Sequence, residues 1–429
     1  MQTINNPKDF DRIQIEYDNR WAEEEESLLM HSIHAYPAKF PPFLASNAFD
    51  YAIEEGVTVS SAADIFCGCG TTALESKRRG ISFWGCDINP IAVMITQAKI
   101  ADYNLQSLEK DYHNIIYQYN ERKKDEANEY QKANKRLQYW YDDVTYNDLF
   151  LLLTVIKETL IMEKPEEQTF FTCIFSAILK QCSRWLQKSI KPQIDPDKHA
   201  ADVIREFSNR FKTAYTAAEQ ITKVIGNHRT TTTIDKASFL EHPYLPTVDL
   251  IITSPPYVTS YEYADLHQLS SLWLNYADDY RDLRKGTIGS SYISNCEDIE
   301  SLKLNDTASK IIAELETNHC EASKMKSIAT YYSDMQKAVN RCYGMLNKNG
   351  MVLFVIGDSE KKGVKLKNAQ HLIETMITKG FTDIKISKRQ ISKGICVPYR
   401  DKKGKFTKQK DSNNQIYHEE YIISGRKKR

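Results

Sequence analysis

The chain has 429 residues, 41% hydrophobic and 27% charged, which is ordinary for a folded globular protein with room for two or three domains and excludes wholesale disorder. No apolar run approaches the ~18–20 residues of a membrane span and the Met1–Phe10 stretch is polar, so a cytoplasmic protein with no membrane contact is expected. The 57 basic residues balance the 57 acidic ones, which at first sight argues against a nucleic-acid partner.

In chain order, an aromatic and proline-rich stretch, His34 to Pro42, precedes the first regular elements. Ala62–Phe66 is a short apolar strand, Thr71–Gly80 a helix with a basic last turn, Ser82–Asp87 a second strand, and Pro90 opens a second helix. Between Ala101 and Arg229 there is a single glycine, Gly226. That segment is long, charged and periodic. Helices are expected over Ser107–Leu137, over about Asp148–Met162, from Pro165 through Leu186, and from an Asp195 N-cap with Pro196 toward Gly226. Strands then follow at Thr231–Asp235, Val248–Thr253 and Met351–Ile356. The last two are continuous apolar runs, as in strands covered on both faces. Thr382–Ile386 and Tyr417–Ser424 flank a Lys-rich stretch and suggest a closing β-hairpin. The expected fold is α/β: a doubly wound, mostly parallel sheet with a C-terminal hairpin, built from residues 1–100 and 230–429, with 101–229 inserted as a helical unit.

The nine cysteines are odd in number, and free thiols fit better than a disulfide framework. Cys67 and Cys69, with Cys86 nearby, are spaced C-x-C with no place for a fourth ligand, so no metal is expected.

Asp64 to Thr72 reads DIFCGCGTT, between a strand and a helix. Glycines there allow a tight turn and close approach of a ligand to backbone, and the helix N-terminus that follows is electropositive. The next strand ends in Asp87, about 20 residues on, where a carboxylate can accept hydrogen bonds from both hydroxyls of a ribose. No lysine follows Gly70, which disfavours a phosphate-binding nucleotidase. Further on, Val248 to Tyr257 reads VDLIITSPPY. A buried strand runs straight into Ser254-Pro255-Pro256-Tyr257, and the two prolines offer rigid carbonyls and no N–H. The Ser254 hydroxyl and the Pro255 carbonyl can each accept one N–H of an exocyclic amino group, and Tyr257 can stack on the base that carries it.

D-x-F-x-G-x-G-T is the form seen in methyltransferases that bind S-adenosylmethionine. Together with HAYPAKFPP, GCDINPIAV, TSPPYVTSYEYADLHQLSSLWL, IGSSY and YYSDMQKAVNRCYGMLNKNGMVLFVIGDS, it makes the chain resemble the amino-methylating DNA methyltransferases, in their N4-cytosine branch. The resemblance covers about half of the chain on both sides of the helical segment. It implies a Rossmann-like fold, S-adenosylmethionine as cofactor, duplex DNA as substrate with the target cytosine flipped out, and a cognate restriction endonuclease acting on the same site. Tyr36, Pro37, Ala38, Lys39 and Phe40 would close over the methionine end of the cofactor. Asp64, Phe66, Cys67, Gly68, Gly70, Thr71 and Thr72 would line its amino-acid portion. Asp87 would bind the ribose, with Ile88 and Asn89 beside the adenine and Asp235 as a weaker match there. Ser254, Pro255, Pro256 and Tyr257 would be catalytic. Serine before the proline pair points to cytosine N4, where adenine enzymes usually carry Asp or Asn. DNA adenine N6 and, further off, an RNA amino group are the alternatives. An insertion between the cofactor and catalytic motifs is commonly the target-recognition region of such enzymes.

For DNA contact, Tyr261 and Tyr263 can stack or fill the vacated duplex position, whereas Trp273 sits in an apolar stretch that suits the core. Arg184, Lys188 and Lys191 offer a basic surface, as does Tyr399–Lys410. The acidic run Glu23–Glu26 suits a solvated face. The neutral total hides an uneven chain: residues 1–100 carry a net −6 and residues 385–429 a net +10. DNA follows the local field and not the sum, so neutrality does not exclude it.

Overall fold

The computed structural model describes the chain apart from residues 23–26, 125–133, 161–163, 227–229, 259–261, 291–297, 392–418 and 429. Tyr261, the acidic run Glu23–Glu26 and the basic stretch Tyr399–Lys410 therefore lie outside the described residues.

In chain order the strands are β1 (Gln2–Thr3), β2 (Ser61–Asp64), β3 (Ser82–Asp87), β4 (Thr232–Lys236), β5 (Val248–Thr253), β6 (Leu346–Ile356), β7 (Ser359–Lys361), β8 (Val364–Leu366), β9 (Phe381–Gln390) and β10 (Glu419–Lys427). The helices are α1 (Pro42–Glu54), α2 (Thr71–Arg78), α3 (Pro90–Ile100), α4 (Leu105–Lys123), α5 (Lys135–Trp140), α6 (Asp143–Thr159), α7 (Pro165–Cys182), α8 (Val203–Ile225), α9 (Tyr263–Leu266), α10 (Gln268–Trp273), α11 (Asp306–Thr317), α12 (Ala322–Met345) and α13 (Asn368–Lys379). Among the described residues the main sheet runs β1-β9-β10-β6-β5-β2-β3-β4. Strands β2 to β6 are parallel, and β10, β9 and β1 continue the sheet antiparallel, so the expected closing hairpin is present.

Strand order explains where a site can form. The chain builds β2, β3 and β4 outward in one direction, then crosses back to lay β5 and β6 on the other side of β2. The loops leaving β2 and β5 therefore diverge from neighbouring strands and open a crevice at their carboxyl ends.

Alternation along the strands sorts the core. Ala62, Leu250, Ile252 and Leu353 face α1 and α2 through Leu44, Phe49 and Ala73. Ala63, Ile251, Val352 and Phe354 face α11 to α13 through Ile311, Met335 and Leu372. Helices α4, α6, α7 and α8 bury Ile115, Leu152, Phe171 and Phe211 in one cluster that also holds Ile91 and Ile95 of α3 and Trp273 of α10. The inserted helices therefore share their core with the helix after the cofactor motif and with the helix after the catalytic motif.

Some boundaries differ from the sequence expectation. The last long inserted helix starts at Val203, capped by the Asp202 carboxylate on the Arg205 N–H (2.7 Å), and not at Asp195-Pro196. Asp195 instead receives the Asp197 N–H on its side chain and sends its own N–H to the Arg184 carbonyl, so the same residue pair forms a turn. Helix α7 ends at Cys182 because the N–H groups of Arg184 and Leu186 go to Trp140 and Gln193, outside the helix. Helix α4 ends at Lys123, and the described chain is helical again from Lys135.

Candidate active site

The carboxyl ends of β2, β3 and β5 carry the candidate site residues. At the end of β2 the Asp64 carboxylate is buried and accepts from the Phe66 N–H (3.1 Å), the Thr72 hydroxyl (2.9 Å) and the Thr253 hydroxyl (2.7 Å). Burial raises its carboxyl to about 6 against the pull of those donors. Asp64 thus braces the loop from below and ties it to the end of β5. Phe66 and Gly68 above it are half-buried, and Cys67 is packed in the core.

Gly68 and Gly70 both have positive φ, at 50° and 76°. A Cβ on Gly70 would sit 2.5 Å from Thr96 Cγ2, so only glycine lets the loop lie against α3 before α2 begins. The Thr96 hydroxyl then donates to the Gly68 carbonyl at 3.0 Å. The Gly68 N–H donates to Asp87 Oδ2 (2.8 Å), and the Asn89 N–H to Asp87 Oδ1 (2.8 Å). Each oxygen of this half-buried carboxylate keeps lone-pair capacity, and burial raises the Asp87 carboxyl to about 6. The Asn89 side chain caps α3 by accepting the Ile91 N–H, which leaves its buried Nδ2 without a partner.

The segment before α1 folds onto this loop. The Thr71 hydroxyl donates to the Phe40 carbonyl (2.9 Å), and Lys39 Nζ to the His31 carbonyl (3.1 Å). Ala38 turns the chain at φ 53°. Tyr36 lies over Gly68 and stacks with His267 (ring centres 4.9 Å apart) and with Tyr263 (5.9 Å). The motifs at 36–40, 64–72 and 87–89 are therefore one constellation, and Tyr263 joins it from the segment that follows the catalytic motif.

Asp235 sits differently. Strand β4 runs on to Lys236, and the Asp235 carboxylate is engaged by the Trp84 indole N–H (2.9 Å) and by His242 Nε2 (3.1 Å).

Residues 46–295, more than half of the chain, match the family of D12 class N6 adenine-specific DNA methyltransferases. The chain belongs to this family. It is 24% identical over 366 residues to the Type II methyltransferase M.MvaI of Kocuria varians, covering 79% of each chain. It is 23% identical over 359 residues to the Type II methyltransferase M.BsoBI of Geobacillus stearothermophilus, covering 76% of this chain and 68% of that one. Among solved structures, an rRNA methyltransferase of Streptomyces viridochromogenes aligns over 94% of this chain and 90% of its own at a TM-score of 0.33 and 9% identity.

As a DNA methyltransferase, the protein uses S-adenosylmethionine as methyl donor. The residues present fit it: the spare acceptor capacity of Asp87 suits two ribose hydroxyls, and the orphaned Asn89 amide suits an acceptor on the ligand. No described helix is long and apolar enough to cross a membrane.

The methyltransferase's Ser254-Pro255-Pro256-Tyr257 motif leaves β5 beside this constellation. The Ser254 hydroxyl donates to the Val355 carbonyl of β6 at 3.0 Å. With that proton committed, its oxygen offers only lone pairs to a ligand. Pro255 is buried, Pro256 half-buried. Tyr257 donates its phenol to Glu420 Oε1 at 2.5 Å, and burial together with that carboxylate pushes its pKa well above the ordinary value.

The proposed DNA contacts divide. Tyr263 is at the site, and Trp273 is core, packed against Tyr146 and Phe175. Arg184, Lys188 and Lys191 lie in the turn after α7. Arg184 reaches back to the Tyr139 carbonyl, whereas Lys188 and Lys191 are exposed.

Two connections escaped the sequence reading. Gln268 Oε1 on α10 accepts from Arg136 Nε (2.8 Å) and from the Trp140 indole (3.0 Å), and Ser176 Oγ lies 2.9 Å from His34 Nε2 and 2.7 Å from Ser270 Oγ. These join the inserted helices to the elements around the site. The polar residues interrupting apolar stretches were the available signal, but their partners are 94 to 142 positions away.

Proposed function

We propose that the protein transfers a methyl group from S-adenosylmethionine to the N4 amino group of a cytosine flipped out of duplex DNA. It would serve as the modification enzyme of a restriction-modification system, with a nuclease of the same site as partner. The observation that carries the reading is Ser254. It stands where an adenine enzyme would usually have Asp or Asn, and its hydroxyl is held as an acceptor by Val355.

Cytosine N4 is a poor nucleophile because its lone pair is delocalised into the ring. Ser254 Oγ and the Pro255 carbonyl would each accept a hydrogen bond from one of its two N–H groups and hold the lone pair out of conjugation. Tyr257 would stack on the base, which offsets part of the few kcal/mol lost on unstacking. Asp87, Asn89, Gly68 and the Tyr36–Phe40 segment would hold the donor, which supplies a sulfonium methyl when bound. After transfer the nitrogen is cationic and acidic, and one proton leaves to solvent without a strong base. The helices between 101 and 229 would read the target sequence, with Lys188 and Lys191 on phosphates, and this placement makes DNA affinity salt-sensitive.

A second reading, adenine N6, is favoured by the name of the family. Digestion of methylated DNA to nucleosides followed by mass spectrometry decides between them. N4-methylcytosine is expected, and N6-methyladenine as sole product would overturn the cytosine reading.

A further inference from the structure

Tyr257 is held by a device that the methyl-transfer chemistry itself does not require. In the closing hairpin, Glu420 of β10 stands directly opposite Arg389 of β9. The Glu420 carboxylate is used on both sides. Its Oε1 accepts the Tyr257 phenol at 2.5 Å, and its Oε2 accepts from Arg389 Nε (2.6 Å) and Nη2 (2.5 Å). Both charged residues are withdrawn from solvent: Arg389 is 7% exposed, and the Glu420 side chain is 13% exposed. The Arg389 guanidinium also lies over the Phe43 ring, 5.6 Å from its centre, at the start of α1.

Tyr257 is confined at two further places, once at its ring and once at its backbone. A Cβ on Gly357, just beyond β6, would come within 3.3 Å of Tyr257 Cε2, so the aromatic edge lies against bare backbone. Gly289, at φ 78°, approaches the Tyr257 carbonyl closely enough that a Cβ would be 3.2 Å away. A phenylalanine would fill the same space, so the hydroxyl serves to anchor the ring. Burying an Arg–Glu pair costs desolvation that only close geometry and further hydrogen bonds offset. Here it fixes the direction of a single acceptor.

The geometry points to Glu420 and Arg389 as positioning residues that lock the Tyr257 ring in place before the target base arrives. The inference rests on reading Tyr257 as the ring that meets the flipped base. Its physical content is pre-organisation: a ring already fixed loses no freedom on capture, and a displacement of about 1 Å at a reacting centre can cost about a hundredfold in rate. It also gives the C-terminal hairpin a role in transfer, although none of its described residues is among those placed around the donor or the amino nitrogen.

The test is a double-mutant cycle between Tyr257→Phe and Glu420→Ala on the full chain. Two quantities are measured: the single-turnover methylation rate on duplex DNA, and calorimetric affinity for S-adenosylmethionine alone. Each single variant should slow transfer about tenfold or more with donor affinity near wild type, and the double variant should be no slower than the worse single one, because both remove the same hydrogen bond. Arg389→Lys, which keeps a charge but not the two-nitrogen grip, should fall between wild type and Glu420→Ala. If Glu420→Ala fails to fold, Glu420→Gln takes its place in the cycle. Wild-type rates in Tyr257→Phe, or losses that multiply in the double variant, would overturn the inference. A loss of donor affinity equal to the loss of rate would overturn it too, by assigning the hairpin a general structural role. The cycle is scored on rate whichever base is methylated, so an adenine product would defeat the cytosine reading alone.

Discussion

The donor and target halves of the proposed site are built on different length scales. On the donor side, Asn89 to Asp87 spans 2 positions, Thr72 to Asp64 spans 8 and Gly68 to Asp87 spans 19. On the target side, Ser254 to Val355 spans 101 and Tyr257 to Glu420 spans 163. The first half is a strand–turn–helix unit whose bonds form as soon as two adjacent strands pair. The second needs β5, β6 and the hairpin all in place. Donor binding should therefore tolerate disturbance of the C-terminal region, whereas transfer should not. Beside the pairing of β2 with β5, the Thr253 hydroxyl ties the two halves together at the site by donating to Asp64.

The largest effect that would sharpen this contrast is Ser254→Ala. Transfer should fall by on the order of a hundredfold or more while donor affinity stays near normal, as read by calorimetry and single-turnover kinetics. Loss of donor binding in this variant would mean that the two halves are not separable. Asp87→Ala should do the reverse. It removes the acceptor for two backbone N–H groups as well as for the ribose, so donor affinity should drop about ten- to a hundredfold, and equilibrium dialysis that found it unchanged would misplace the donor. Gly70→Ala tests how local the donor half is. A left-handed alanine with its Cβ against Thr96 should cost about 1–3 kcal/mol, visible as a lowered Tm. A wild-type melting curve would show that the turn can relax.

The smallest effects concern the bond that crosses and the acids around it. Thr253→Val should push the Asp64 carboxyl further up and cost about 1–3 kcal/mol, measured by denaturant unfolding. Both Asp64 and Asp87 are raised to about 6 by burial. Between their ordinary pKa near 3.8 and about 6, the folded protein holds protons that the unfolded chain has released. Their contribution to stability without donor therefore falls as pH rises through that window. Donor affinity should run the opposite way, weakening about tenfold per pH unit well below 6 as Asp87 takes up a proton. A pH-independent dissociation constant between 5 and 7 would remove Asp87 from the ribose.

Much of the donor half was legible because its constraints are local. Glycines at 68 and 70, a threonine pair and a strand-terminal aspartate specify a turn and a helix start by themselves. The strands β3 and β5 were legible to the residue, since short stretches rich in apolar residues between turn signals leave little choice. Asp195 shows where such signals fail. An aspartate before a proline caps a helix or starts a turn equally well, and here the bonds from its own N–H to the Arg184 carbonyl and from the Arg184 N–H to the Trp140 carbonyl decide for the turn.

The sequence by itself determined the strand–helix alternation, the donor loop and the Ser-Pro-Pro-Tyr exit from β5, because each depends on residues within a few positions of one another. Only the tertiary structure decided what Ser254 and Tyr257 lean on, which inserted helices reach α10, and that Asp64 braces the site from beneath. Those outcomes are set by which strands become neighbours in the sheet. That order follows from packing energy summed over the whole core and is not encoded at any one position.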